Sequence, residues 1–116
     1  LVKIVLVGSF NAIVGLMTIP ATGGEAHHES VRKRRAATNQ KLSEISRRYH
    51  HRVFLIDTNA VLPNPGHRPE PATPESELWD RDQLHFSPKG SARLGEFLYE
   101  TLVERGIIHT TSSNTI

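Results

Sequence analysis

The sequence predicts an α/β fold, a parallel sheet covered by helices, and three observations carry that expectation. An apolar run at 12–19, ended by Pro20, has the near-continuous character of a strand buried in a parallel sheet. A second apolar run at 53–57 has the same character and ends in Asp57. Between and after these runs, two stretches carry apolar residues at helical spacing. The order is therefore strand, helix, strand, long loop, helix, the pattern of a parallel α/β sheet. A chain of 116 residues has room for one domain.

The elements follow in order. Residues 1–10 read as a further strand or as the end of a helix feeding into the first strand. Lys3 followed by apolar residues also resembles the start of a targeting segment. Gly8, Ser9, Asn11 and Gly15 interrupt that run, so no membrane span is expected. Residues 20–28 form a Gly- and Thr-containing loop. Residues 29–50 read as a helix whose stripe is Val31, Thr38, Leu42, Ile45 and Tyr49, with most basic residues off it. Five prolines (Pro63, Pro65, Pro69, Pro71, Pro74) give 58–81 no usable period, and it reads as a long surface loop. Trp79 is expected to pin that loop to the core. Ser87 and Pro88 then supply an N-cap and a first helical residue. The helix they open has Leu94, Phe97, Leu98, Thr101 and Leu102 on one face and Gly106 as its stop. The domain so defined spans 1–106, and 107–116 reads as a flexible tail.

Composition narrows the function. Apolar residues at 37% and charged residues at 22% suit a folded chain rather than a disordered one. With no Cys, a disulfide scaffold, a thiolate zinc site and a Cys nucleophile are excluded. Charge is unevenly placed: residues 29–52 hold eight Lys/Arg against two Glu, whereas 53–116 hold five against nine acidic residues. The run Arg32-Lys33-Arg34-Arg35 has no aromatic residues interleaved to stack bases. It reads as the solvated face of a helix, and no nucleic-acid partner is expected. His27-His28, His50-His51 and His67 form no expected metal site, because adjacent side chains diverge along a helix or strand.

The residues richest in chemistry are Asp82-Gln83-Leu84-His85-Phe86-Ser87-Pro88-Lys89-Gly90. An Asp three residues before a His, in a loop opening a helix, can place its carboxylate on the imidazole Nδ1–H. That fixes the tautomer and leaves Nε2 free to take a proton from a hydroxyl. By spacing alone this pair is common, but Asp-x-x-His-x-Ser-x-x-Gly followed by an amphipathic helix resembles the last block of the SGNH (GDSL-type) hydrolases, which are serine esterases and lipases. Leu78-Trp79-Asp80-Arg81 is similar to the lead-in of many members. Met17-Thr18-Ile19-Pro20, the helix with Asn39 and the strand ending at Asp57 resemble the later strands and helix of that fold.

The resemblance spans about residues 12–106 and implies part of a three-layer α/β/α, flavodoxin-like domain. It implies a catalytic pair, His85 as general base and Asp82 orienting it, acting without a cofactor on a small-molecule ester. The family's Gly-Asp-Ser nucleophile block and its Gly-x-Asn-Asp oxyanion block do not occur here. Gly8-Ser9 is the one stand-in, and Ser9 reads first as a turn or helix-end residue. With a first residue that is Leu, the chain reads as the later half of such a domain, cut between nucleophile and base, and no turnover is expected of it alone. The other reading is a non-catalytic remnant, a pseudoenzyme that docks an acidic partner through the basic helix at 32–48.

Overall fold

The computed structural model describes residues 2–8, 11–66 and 70–109 and has an α/β architecture. Its sheet has two parallel strands, β1 (Val14–Met17) and β2 (Val53–Ile56), in the register Val14↔Val53 through Met17↔Ile56. Both strands are shorter than the apolar runs that announce them. The reason at the β1 end is a side chain. Thr18 N–H still donates to Ile56 O at 2.9 Å, but the Asn39 amide then takes the backbone of Ile19. Its Oδ1 accepts from Ile19 N at 2.7 Å and its Nδ2 donates to Ile19 O at 3.0 Å. A side chain thus stands where a neighbouring strand would pair, and the strand ends there.

Residues before β1 form a helix, α1 (Val2–Gly8), not a strand. Seven residues do not hold a helix by propensity. Leu6 is buried, and the Arg52 guanidinium, next to β2, donates to Leu6 O at 2.9 Å and to Ala12 O at 3.0 Å. A cation on a carbonyl of the last helical turn satisfies an acceptor that lacks an intrahelical partner.

The helix between the strands, α2 (Glu29–Arg48), ends two residues before the expected boundary and buries none of its residues. Leu42, Ile45 and Tyr49 are half-buried, whereas Val31 and Thr38, expected on the same stripe, are exposed. Length explains the split. Twenty residues of helix extend about 30 Å, while strands of four residues extend about 13 Å. The N-terminal turns of α2 therefore overhang the sheet. There, Arg35 turns inward to a buried Glu25, 2.7 Å away.

The segment 58–81 is not only a surface loop. Asp57 caps a short helix, α3 (Thr58–Val61), by accepting from Asn59 N–H at 3.1 Å, and Ser76–Leu78 form a 3₁₀ turn. Val61, Leu62 and Trp79 are buried together, with Leu78, Phe86, Leu94 and Phe97 packed against them. A buried apolar cluster thus joins the Pro-rich segment to the last helix, apart from the buried Val53, Phe54 and Ile56 of β2. Trp79 pins it as expected, donating from Nε1 to Pro63 O at 3.0 Å. The last helix, α4 (Pro88–Glu104), opens on Ser87 and Pro88 as read from the sequence. It packs against α3 and the 3₁₀ turn, and reaches the sheet where Arg105 lies 4.3 Å over the Phe54 ring. Gly106 follows with φ +71°, and Ile107 and Ile108 donate back to Leu102 O, so the start of the expected tail is tied down. Among the described residues, no helix is long and apolar enough to cross a membrane.

The first turn of α4 has a position that admits only glycine. A Cβ on Gly90, in the first turn of α4, would stand 2.0 Å from Leu78 O and 3.2 Å from Phe86 Cβ. Gly90→Ala is expected to cost about 2–3 kcal/mol, as overpacking does when backbone has to move. Urea unfolding of the variant measures this, and an unchanged midpoint would refute the close approach.

Candidate functional site

The Asp82–His85 turn is built by the chain on either side of it. Trp79 and Phe86 form an antiparallel bridge, and their rings meet edge-on with centroids 4.9 Å apart. Inside that bridge Asp80 N–H donates to His85 O at 2.8 Å, and Gln83 N–H donates to Asp80 O at 3.0 Å. The hairpin-like loop continues directly into α4, because Ser87 N–H donates to Leu78 O at 3.0 Å. The Ser87 hydroxyl accepts from Gly90 N–H at 3.1 Å and donates to Glu77 O at 2.5 Å. Ser87 is thereby committed as a cap, which removes the nearest serine as a nucleophile.

Within the turn, Asp82 uses both carboxylate oxygens. Oδ1 accepts from Leu84 N–H at 2.9 Å and from His85 N–H at 3.0 Å, and Oδ2 meets His85 Nδ1 at 2.5 Å. The structure brings the two sequence-predicted residues together in the orientation expected of them. Among the described residues no hydrogen bond reaches His85 Nε2. Both side chains are exposed, His85 by 70% and Asp82 by 48%. Backbone N–H donation from His85, then the imidazole, then Leu84 N–H hold the Asp82 carboxyl down at about 2. The carboxylate hydrogen bond and its charge, with a smaller contribution from Asp80, raise the imidazole above its ordinary value.

Several residues that the sequence reading did not single out fix this turn from outside. Gln83 O accepts from Gly23 N–H at 3.0 Å and from Asn64 Nδ2 at 3.1 Å. Gly23 opens a 3₁₀ helix (Gly23–His27) that follows the carboxyl end of β1, so the turn sits beside that end of the sheet. A Cβ at Gly23 would fall 2.4 Å from Gln83 Cβ. Asn64 itself accepts from Gly66 N–H at 2.8 Å, an Asx turn that the run Pro63-Asn64-Pro65-Gly66 signals. Beneath the β1 exit loop, the Thr18 and Thr58 hydroxyls are buried 3.0 Å apart, and Asn59 Oδ1 accepts from Ala21 N–H at 2.8 Å.

A cleft of about 590 Å³ adjoins the loop and is lined in part by Ser76, Glu77, Trp79, Arg81, Ser87 and Lys89. Neither Asp82 nor His85 lines it. Ser9 and His67 lie outside the described residues. Among those described, no group of three or more His, Asp or Glu side chains is arranged to hold a metal, and the His50 and His51 rings stack on each other at 3.9 Å. The chain matches no protein-family model, no curated protein and no solved structure, so the site is read from its own geometry.

The charges fix how stability depends on pH. The lowered Asp82 carboxyl stabilises the fold above the ordinary carboxylate range and loses that contribution as pH falls toward about 2. The raised His85 contributes fully below the ordinary imidazole range and loses its contribution as pH rises through its folded value. The effect of Asp82→Asn on melting temperature is therefore expected to be largest near about pH 5, where both groups are charged, and to shrink on either side. An NMR titration of the variant is expected to return His85 toward the ordinary imidazole value. A titration indistinguishable from wild type would refute the pairing.

Proposed function

We propose that residues 12–106 are the His/Asp-bearing part of an ester hydrolase of the SGNH type, a three-layer α/β/α domain. The observation that supports this reading is the Asp82–His85 contact through Nδ1. When the imidazole is neutral, this contact favours the tautomer with its proton on Nδ1 and its lone pair on Nε2. In the proposed reaction His85 Nε2 takes the proton of a serine hydroxyl as its oxygen attacks an ester carbonyl. The same proton then goes to the leaving alcohol, and Asp82 holds the imidazolium formed in between. An acyl-enzyme results, and His85 activates the water that hydrolyses it.

By itself, the chain lacks the sequence blocks that supply nucleophile and oxyanion donors in such enzymes. It is therefore expected to take no label from a fluorophosphonate and to give no acyl-enzyme burst with p-nitrophenyl acetate. Robust turnover abolished by Ser9→Ala would overturn that expectation. In a protein joining this segment to a Gly-Asp-Ser block, His85→Ala is expected to lower kcat/KM by about 100-fold or more. Full activity without the imidazole would remove the assigned role.

A second reading rests on α2. Because α2 buries none of its residues, Arg32, Lys33, Arg34, Lys41, Arg47 and Arg48 all face solvent, with Glu29 pairing with Arg32 and Lys33. In this reading the chain is a non-catalytic module that docks an acidic partner. Binding to a fluorescent polyanion such as heparin is expected to weaken steeply with salt. Absence of binding at low salt would eliminate this reading.

A further inference from the structure

We infer that Asn64 and Gly23 are positioning residues for the Asp82–His85 pair, acting through the backbone carbonyl of Gln83. The inference begins with backbone strain. Gln83 has φ +61°, the left-handed region, which a residue with a long side chain rarely occupies. Gln83 is not a residue that adopts that conformation by local preference, unlike Gly or Asn. A residue held there persists when its surroundings over-determine it. In this turn the surroundings are two donors from distant parts of the chain, Gly23 N–H and Asn64 Nδ2, converging on one carbonyl oxygen at 3.0 and 3.1 Å.

The same dihedral decides whether the acid meets the base. Asp82 Oδ1 reaches the N–H groups of Leu84 and His85 because the chain reverses at Gln83, and that reversal brings Nδ1 to Oδ2. If Gln83 relaxes to negative φ, the Leu84 and His85 amides turn away and the carboxylate loses three partners at once. Local hydrogen bonds alone do not hold this arrangement, since both side chains of the pair are exposed and compete with water for it. The Gln83 side chain adds no polar anchor, because its amide oxygen and nitrogen are buried without hydrogen-bond partners. Within the turn the Gln83 N–H donates to Asp80 O; from outside the turn Gln83 is held at its carbonyl, by the clamp. Gly23 also has to be glycine for this contact, since a Cβ there would stand 2.4 Å from Gln83 Cβ.

As a statement about position, this stands whether or not the pair acts on an ester; its bearing on catalysis rests on the function proposed above. The test therefore reads the imidazole directly. In Asn64→Ala, an NMR titration of His85 is expected to shift down by about half a unit or more, about threefold in the protonation equilibrium. The Asp82 carboxyl is expected to rise in parallel, and the His85 Nδ1–H resonance to broaden or vanish. The double variant Asn64→Ala/Gln83→Gly separates positioning from general loosening, since glycine takes positive φ without strain. It is expected to recover most of the His85 shift, which a merely structural role for Asn64 would not produce. Amide spectra and melting curves confirm that each variant folds. An Asn64→Ala chain that folds and titrates like wild type would overturn the inference. So would a double variant with no recovery. A larger protein joining this segment to a Gly-Asp-Ser block that keeps these readouts but shows no esterase activity would count against the proposed function instead.

Discussion

The first turn of α4 presses against the backbone of Leu78, and most of what matters in this molecule hangs on that approach. Gly90 leaves the space, Ser87 bonds both Leu78 O and Glu77 O, and Lys89 pairs with Glu77 at 2.8 Å. These contacts hold the 3₁₀ turn and α4 together, so residues 79–86 must leave and return within a fixed gap. The Trp79–Phe86 bridge closes that gap from inside and joins it to the buried cluster around Leu62. The candidate dyad is thus set on a hairpin whose two stems are anchored by packing, even though the dyad itself stands in water. Rigidity beneath exposed chemistry is what a positioned base requires.

How much of this was legible beforehand depends on whether the cause was local. The Ser87 cap, the Pro88 start, the two parallel strands and the Asp82–His85 contact follow from spacings of a few residues, and the chain shows them. The stripe on α2 was legible only in part, because periodicity does not say how far the sheet beneath it extends. Val31 and Thr38 lie beyond its end. The burial inside 58–81 was hidden because five prolines erase periodicity without preventing Val61 and Leu62 from packing under Trp79. The clamp on Gln83 was the least legible. Gly23 and Gln83 are 60 positions apart, and nothing about a glycine in the sequence says which carbonyl its N–H will meet. The assignment of the site to hydrolysis rests on the resemblance of one block, and the fold supplies its geometry rather than its chemistry.

The exposure of the dyad bears on how it would work. In water, Asp82 and His85 are linked by hydrogen bonds with little desolvation opposing them, so the carboxyl falls and the imidazole rises. An imidazole raised in this way keeps its proton to higher pH, and in the protonated form it cannot accept another. Covering the pair would change both values. Burial disfavours each charged form, raising the carboxyl and lowering the imidazole. A low-dielectric cover would also strengthen the Asp82–imidazolium attraction when the proton arrives. On the proposed function, a nucleophile and oxyanion donors brought up to His85 Nε2 would supply such a cover. Completing the site and tuning its base would then, on that proposal, be one event.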